Sequence, residues 1–562
     1  MIKKWEYYQP NEEDVEKIKN HNNISKLLAK VLINRGIKED NEINKFLYPK
    51  IDDLNDPFLL NDMNIAVDRI LRAKENKEKV TVYGDYDVDG ITSIAVLVKF
   101  FRELGINIEY YLPSRLEEGY GLNNDALKKI KDNGTDLLIT VDCGISAYEE
   151  VEYAKSIGLE VIITDHHECP EKLPDTFAII DPKRPDSTYP FNSLAGVGVT
   201  FKLIHAISIR LDLDRKKYLK YLDIVCLGTV ADIVPLVHEN RVIVKYGLML
   251  VKETRNIGLR ALIKLSGYSK IDSSLISFGL APRINACGRM GKADLALNLL
   301  LTNDVFEAES IATELNTINR ERQEVEKRIM EDAIKIIEDE KLYEDDVIVV
   351  GKEGWHHGVI GIVASKITEM YYKPSILVCF EEGVGKGSGR SVDGFDLHKA
   401  LNFCIDDLTR FGGHEMAIGL TISQENLEKF RSDINEYAKN VIDKDKVPTI
   451  KVDSEINADM ISLEKLKDLE ILEPYGEANP MPLFVYKNIK VDGVRLLSND
   501  KHLKLMLKDG SSLFDAIAFN MGDKKYSIKV GDKIDVLHYL DVNKFNDIEK
   551  IQLNVKDIKR SL

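Results

Sequence analysis

The chain has 562 residues, with 93 acidic against 77 basic side chains and a net charge of −16. That length holds roughly three or four domains of about 150 residues, and that charge excludes a protein that coats nucleic acid through its overall field, so a strand must be gripped by local basic grooves or metals. Six cysteines at 143, 169, 226, 287, 379 and 404 form no CxxC pair, which excludes a zinc ribbon and a disulfide framework and fits a reducing cytoplasm.

The N-terminus, Met1-Ile2-Lys3-Lys4-Trp5, runs into charged residues, and no apolar window approaches the roughly 18 residues of a membrane span, so neither export nor a membrane is expected. Helix-period apolar positions at 11–19 and 24–34 predict a short helical segment over 1–55 that carries no chemistry. From residue 77 the pattern alternates: strands at 80–84, 108–112, 137–141 and 161–164, helices at 91–104, 124–132 and 147–157, with Gly105, Gly134 and Gly158 just past the helix ends. Near-continuous apolar strands and glycine-terminated helices are what a buried parallel sheet requires. In such sheets ligands bind beyond the carboxyl ends of the strands.

The chemistry falls at those ends. Asp85, Asp87 and Asp89 follow the first apolar run, Asp142 follows another, and Asp165-His166-His167 follow a third. Clustered carboxylates are costly without a cation among them, and a mixed Asp/His set points to Mn²⁺ or Mg²⁺ rather than a thiolate-bound metal. Two ions about 3.5–4 Å apart, sharing a bridging carboxylate, would activate water. Asp142, after the central strand, is the expected bridge. Asp87 and Asp89, two apart on an extended strand end, would each face one ion, with Asp85 joining them or orienting a ligand. His166 is the expected imidazole ligand, its tautomer fixed by Asp165, which leaves His167 for substrate contact or proton donation. DxDxDG also resembles half a calcium loop, but the preceding strand and the missing later Glu argue against it. Cys143 has no partner His at a recognisable spacing and reads as a small buried spacer.

Further along, 307–340 lacks Pro and Gly and predicts a long connecting helix. A second α/β unit over 341–440 has strands at 347–350 and 376–380, a helix at 358–370, and a glycine-rich loop at 383–391. Residues 439–448 read as a linker. Alternating strands at 503–507, 513–519, 533–542 and 551–558 predict a small antiparallel barrel or sandwich over 450–562. Tyr475 and Phe484 read as core aromatics rather than stacking platforms.

Six segments carry a family resemblance: YGDYDVDG at 83–90, VDCG at 141–144, TDHH at 164–167, ADIVPL at 231–236, APRINACGR at 281–289 and FGGHEMAIG at 411–419. In order and content they resemble the DHH phosphoesterase superfamily, most closely its RecJ branch of single-strand-specific exonucleases. The resemblance implies an α/β parallel-sheet DHH domain over 56–306, joined by the long helix to a DHH-associated domain, with an OB-like β domain at the end. It implies two Mn²⁺ (or Mg²⁺) ions on Asp87, Asp89, Asp142, His166 and Asp232, with Asp85 and His167 at the rim. Asp232 comes from the resemblance alone, since by itself it reads as a helix-end charge.

Charge developing on phosphate oxygens calls for cations. Ser114, Arg115, Arg283, Asn285 and Arg289 are suited to that, and the resemblance moves them toward terminal- and scissile-phosphate contacts. In the second unit, Ser388, Arg390 and the glycine-rich loop read as a backbone-phosphate clamp, and His414 as a phosphate contact. Trp355-His356-His357-Gly358 sits at a helix start that favours an anion; adjacent histidines there diverge, which argues against a metal.

The expected activity is 5′ to 3′ exonucleolysis of single-stranded DNA in repair and recombination, the polarity resting on resemblance. Single-strand-binding protein and a helicase are partners by analogy only. The alternatives are a phosphodiesterase for short oligonucleotides or cyclic dinucleotides, against which the extra β domain argues, and a non-catalytic replication scaffold, against which the intact ligand positions argue.

Overall fold

The computed structural model describes residues 3–115, 118–119, 121–443, 447–545 and 548–561; residues 444–446 of the expected linker lie outside these. The chain divides into two compact units, one of Pro57–Asp232 and Leu250–Lys446, the other of Met1–Asp56, Ile233–Met249 and Val447–Leu562. No helix of the described residues is long and apolar enough to cross a membrane, and all six cysteines are free.

In the first of these units, five parallel strands lie in the order Asn107–Tyr111, Lys79–Gly84, Leu137–Val141, Glu160–Thr164, Ala178–Ile180. The central strand is buried throughout, which explains its unbroken Leu-Leu-Ile-Thr-Val. The helices Val88–Glu103, Asn124–Asp132 and Tyr148–Ser156 make the crossovers. The fifth strand, of three residues, was not expected; it is too short for a periodicity to show.

The long helix spans Val305–Asp339. Beyond it a mixed sheet runs Leu408–His414, Ala417–Ser423, Val384–Arg390, Ser375–Glu381, Ile348–Glu353. The glycine-rich segment expected as a loop is thus an interior strand, paired on both sides. Its glycines serve packing: a Cβ on Gly387 would meet Leu420 Cδ1 at 2.7 Å, and one on Gly389 would meet Ile418 Cδ1 at 2.7 Å. Large neighbours fill the space the missing side chains leave.

The other unit is built on a closed barrel of Phe484–Leu497, His502–Asp509, Ser512–Ala518, Ile548–Arg560 and Lys533–Phe545, sealed by pairing of the first and last of these. One pairing, Asp515–Ala518 with Gln552–Val555, is parallel, so the barrel is mixed rather than purely antiparallel. Its core is continuous with that of the N-terminal helices Glu12–Asn22, Lys26–Asn34 and Asp40–Leu47: Leu28, Leu32 and Ile43 share one buried cluster with Phe484, Leu505 and Val536. Tyr475 packs against the same cluster. Strand Lys4–Tyr7, also unexpected, pairs in parallel with Thr449–Val452.

A buried arginine ties the three chain segments of this unit together. Arg241 lies over the Phe46 ring at 3.9 Å and donates to the carbonyls of Phe46, Ile471, Leu472, Glu473 and Pro474. Five carbonyls and an aromatic face take the place of a counter-ion, and burial pulls its pKa down to about 9.

Candidate metal centre

Four adjacent strands end in an acidic residue: Asp85 after Gly84, Asp142 after Val141, Asp165 after Thr164 and Asp181 after Ile180. The strand-end expectation for Asp87 and Asp89 needs correction. Helix Val88–Glu103 begins between them, Asp87 being its N-cap, so Asp89 lies in the helix's first turn rather than on an extended strand end, and the two fall in separate ligand groups. Asp87 Oδ1 accepts from the amides of Asp89 and Gly90 at 2.9 and 3.1 Å. Asp89 is held by a second helix start, its oxygens accepting from Gly196 N at 2.6 Å and Val197 N at 2.8 Å. Gly196 must be glycine for this approach, because a Cβ there would lie 2.6 Å from Asp142 Oδ1.

The ligand atoms converge in groups: Asp85, Asp87 and Asp142; Asp89, His166 and Asp232; and Asp142 again with His166 and His167. His166 Nε2 lies 3.1 Å from Asp142 Oδ1, 3.7 Å from Asp232 Oδ2 and 3.8 Å from Asp89 Oδ2, yet makes no hydrogen bond. Its ring is held by the Leu194 carbonyl. Asp85 Oδ1 is likewise buried without a partner. Asp142 sits at φ 59°, a backbone region uncommon for residues with a Cβ.

The electrostatics describe a site short of positive charge. Burial, with Asp87 adding to it, pushes Asp85 up to about 8 and Asp232 up to about 7. Asp89 and Asp142 are held well above the usual carboxylate range, by burial first and neighbouring carboxylates second. Burial lowers His166 to about 4, leaving a neutral imidazole. Two orphaned buried donor atoms, repelling carboxylates and an oxygen-rich set with one nitrogen fit a pair of hard divalent cations.

Asp165 does not orient His166 as expected. Its Oδ1 lies 2.7 Å from His167 Nδ1 and accepts from the His166 amide at 2.7 Å, while Oδ2 accepts from Ile145 N at 2.9 Å. A carboxylate fixed by backbone amides can hold only the ring beside it, and that ring is His167. Burial pulls His167 down, but the Asp165 contact overrides it and keeps the imidazole above its ordinary range. Cys143 is buried and its thiol is pushed far up by burial, so it is no nucleophile.

The expected phosphate contacts separate. Arg115 stacks over Tyr86 at 5.1 Å and bears on Asp85, with Ser114 beside it anchored through its amide to Glu118 at 2.9 Å. Burial and the neighbouring guanidiniums of Arg115, Arg322 and Arg390 pull Arg289 down to about 10. Arg390 extends from its strand beside Ser388, donating to Ser388 Oγ at 3.2 Å. Asn285 accepts from Val88 N at 3.2 Å and so supports the Asp-bearing helix start. Arg283 instead lines a groove, donating to Asn316 Oδ1 at 3.1 Å. His414 is exposed at the end of a hairpin strand. His356 caps its helix through Gly358 N at 3.1 Å, whereas His357 is lowered to about 4 by burial, then Lys386 and Arg115. Sequence reasoning missed Asp181, buried with one oxygen unpartnered and pushed up to about 7 by burial. Its signal was Ala178-Ile179-Ile180-Asp181, the strand-then-acid pattern in short form.

Comparison with known proteins places the whole chain among relatives. Residues 79–229 match the DHH family N-terminal domain, 344–440 the DHHA1 domain and 452–557 the RecJ OB domain. The chain is 40% identical over 560 residues to the single-stranded-DNA-specific exonuclease RecJ of Bacillus subtilis, covering 99% of this chain and 70% of that protein. It is 32% identical to that of Haemophilus influenzae, covering 95% and 96%. The crystal structure of RecJ from Thermus thermophilus in complex with Mn²⁺ superposes with a TM-score of 0.87 at 29% identity, covering 100% of this chain and 80% of that one. On this sequence and structural likeness, the chain belongs to the RecJ family.

Proposed function

We propose that this chain is a metal-dependent exonuclease that hydrolyses phosphodiester bonds of single-stranded DNA from the 5′ end, in DNA repair and recombination. The observation that carries the metal-dependent reading is Asp142, which belongs both to the group with Asp85 and Asp87 and to a group with His166. Asp142 would hold both ions, with Asp87 and Asp85 on one side and Asp89, His166 and Asp232 on the other. Bound there, Mn²⁺ or Mg²⁺ supplies Lewis-acid stabilisation and a nucleophile at neutral pH.

The chain's own residues do the rest. His167, with Nδ1 turned to Asp165, holds a proton at Nε2 for the leaving oxygen. Arg115, Arg289 and Arg390, with the Ser388 hydroxyl, bind the terminal phosphate, since charge-assisted forks suit its oxygens. Ser114 and Asn285 position these groups, and Arg283 and His414 would meet the strand farther out. The reading assigns chemistry to 56–306, the phosphate clamp to 341–440 across the helix 307–340, and strand grip to 450–562, with 1–55 completing the barrel's core. Strands of this kind are exposed in the cytoplasm by helicases and covered by single-strand-binding proteins, the partner classes the activity calls for.

Digestion of a strand labelled at either end, with Mn²⁺ or Mg²⁺, tests the reading. Early release of the 5′ label is expected; early release of the 3′ label reverses the polarity, and no release with either metal refutes the activity.

A further inference from the structure

A groove of about 870 Å³ opens among the helices Ala281–Arg289, Val305–Asp339 and His357–Tyr371, sharing no residue with the metal-ligand groups. Within a molecule of net charge −16, its lining carries five cationic side chains against two acidic ones. Arg322 and Lys366 both pair with the buried Glu326, so one positive charge at the floor is uncompensated. Arg283 is pre-oriented through Nε on Asn316 and Nη1 on the Gly279 carbonyl, and its Nη2 makes no hydrogen bond among the described residues. Arg320 is exposed and makes no ion pair among them.

The groove also presents two aromatic rings, Tyr268 at 40% and Phe278 at 72% exposure. Phe278 rides on a π-helix, Leu275–Leu280, whose wide turn interrupts the run into the next helix, a device found often at functional sites. A Cβ on Gly279 would lie 3.1 Å from the Tyr268 ring, so the glycine lets that ring rest against the helix. An exposed phenyl ring gains little from water, and a guanidinium without a counter-ion is free to take an anion. Together they match a flat apolar base joined to a phosphate, and the volume suits one or two nucleotides.

We propose that this groove is a second nucleotide site, stacking a base on Tyr268 or Phe278 and binding its 5′-phosphate through Arg283 and Arg320. The ligand is either the mononucleotide that hydrolysis releases or a nucleotide within a bound strand. That choice of ligand rests on the exonuclease reading, whereas the basic and aromatic lining does not.

Photo-crosslinking of the full chain with 5-iodo-2′-deoxyuridine 5′-monophosphate, and separately with an oligothymidylate carrying one internal iodouridine, tests it. Adducts are expected on Tyr268 or Phe278, falling at least tenfold in Arg320→Glu and returning in Arg320→Lys. Adducts with the free nucleotide alone identify the released product as the ligand; adducts with the strand alone identify a strand segment. Absence of adducts at both rings with both probes, or adducts undiminished in Arg320→Glu, overturns the proposal. Hydrolysis of an end-labelled strand is scored in parallel: adducts without hydrolysis keep the site and refute the exonuclease reading, and hydrolysis without adducts does the reverse.

Discussion

The acid-rich turn at 85–90 and the glycine-rich segment at 383–391 look alike as sequences, each a short glycine-bearing stretch after an apolar strand with polar groups suited to binding. In the fold they part. The first collects charges that repel one another in a buried pocket and leaves Asp85 Oδ1 without a partner. The second is met along its backbone: the amides of 384–390 sit in a sheet, and Gly385, Gly387 and Gly389 pack against Phe380, Leu420 and Ile418, so any binding there falls to the side chains of Ser388 and Arg390. Uncompensated electrostatic cost, more than glycine content, marks a site.

The sharpest way to break this contrast is Asp142→Ala. Hydrolysis should fall by about 10³-fold or more, since one carboxylate serves both ligand groups, while single-strand affinity stays near normal; turnover close to that of the unaltered chain would end the shared-ligand reading. Asp165→Asn should cost about 10- to 100-fold. It should also move the alkaline limb of the pH–rate profile to lower pH, because His167 loses the carboxylate that raises it. An unmoved limb would take His167 out of the proton transfer.

On the other side of the contrast, Gly387→Val should lower stability by about 1–3 kcal/mol through overpacking, read as a lower urea midpoint. Normal stability with weakened strand binding would restore the phosphate-cradle view. The last test concerns the unloaded centre. Asp85 and Asp232 have folded-state pKa values of about 8 and 7, above the ordinary range, so the folded state holds more protons than the unfolded one. The metal-free protein should therefore lose stability as pH rises from about 5 to 8, and Mn²⁺ should reverse the trend with release of protons. Thermal midpoints at both ends of that window, with and without Mn²⁺, measure it.

Much of this was legible before the fold. Apolar runs followed by acids located the strands before Asp85, Asp142 and Asp165, because burial on both faces forces continuity and ligand residues have nowhere to go but the strand ends. Asp232 was not legible from its surroundings: it follows a helix, Leu222–Ala231, and only the fold brings that helix end to the sheet. Which histidine Asp165 would hold was equally hidden, because it depends on backbone amides of the turns at 145 and 166. The glycine-rich strand was misread because glycine signals both close backbone approach and accommodation of a bulky neighbour, and sequence alone does not separate the two.

The staple formed by Arg241 has a consequence for how the chain comes off the ribosome. Leu28, Leu32 and Ile43 are covered by residues that begin at Ile456, and the arginine's carbonyl partners lie at 46 and at 471–474. At about 5–20 residues per second, synthesis of the roughly 400 intervening residues leaves the N-terminal helices without their cover for about 20–80 s. During that interval their apolar faces are available to chaperones, and a chain stopped before the barrel never buries them. A C-terminal deletion therefore removes more than strand grip: it should turn the first fifty residues into an aggregation-prone tail, which deleting them as well would cure.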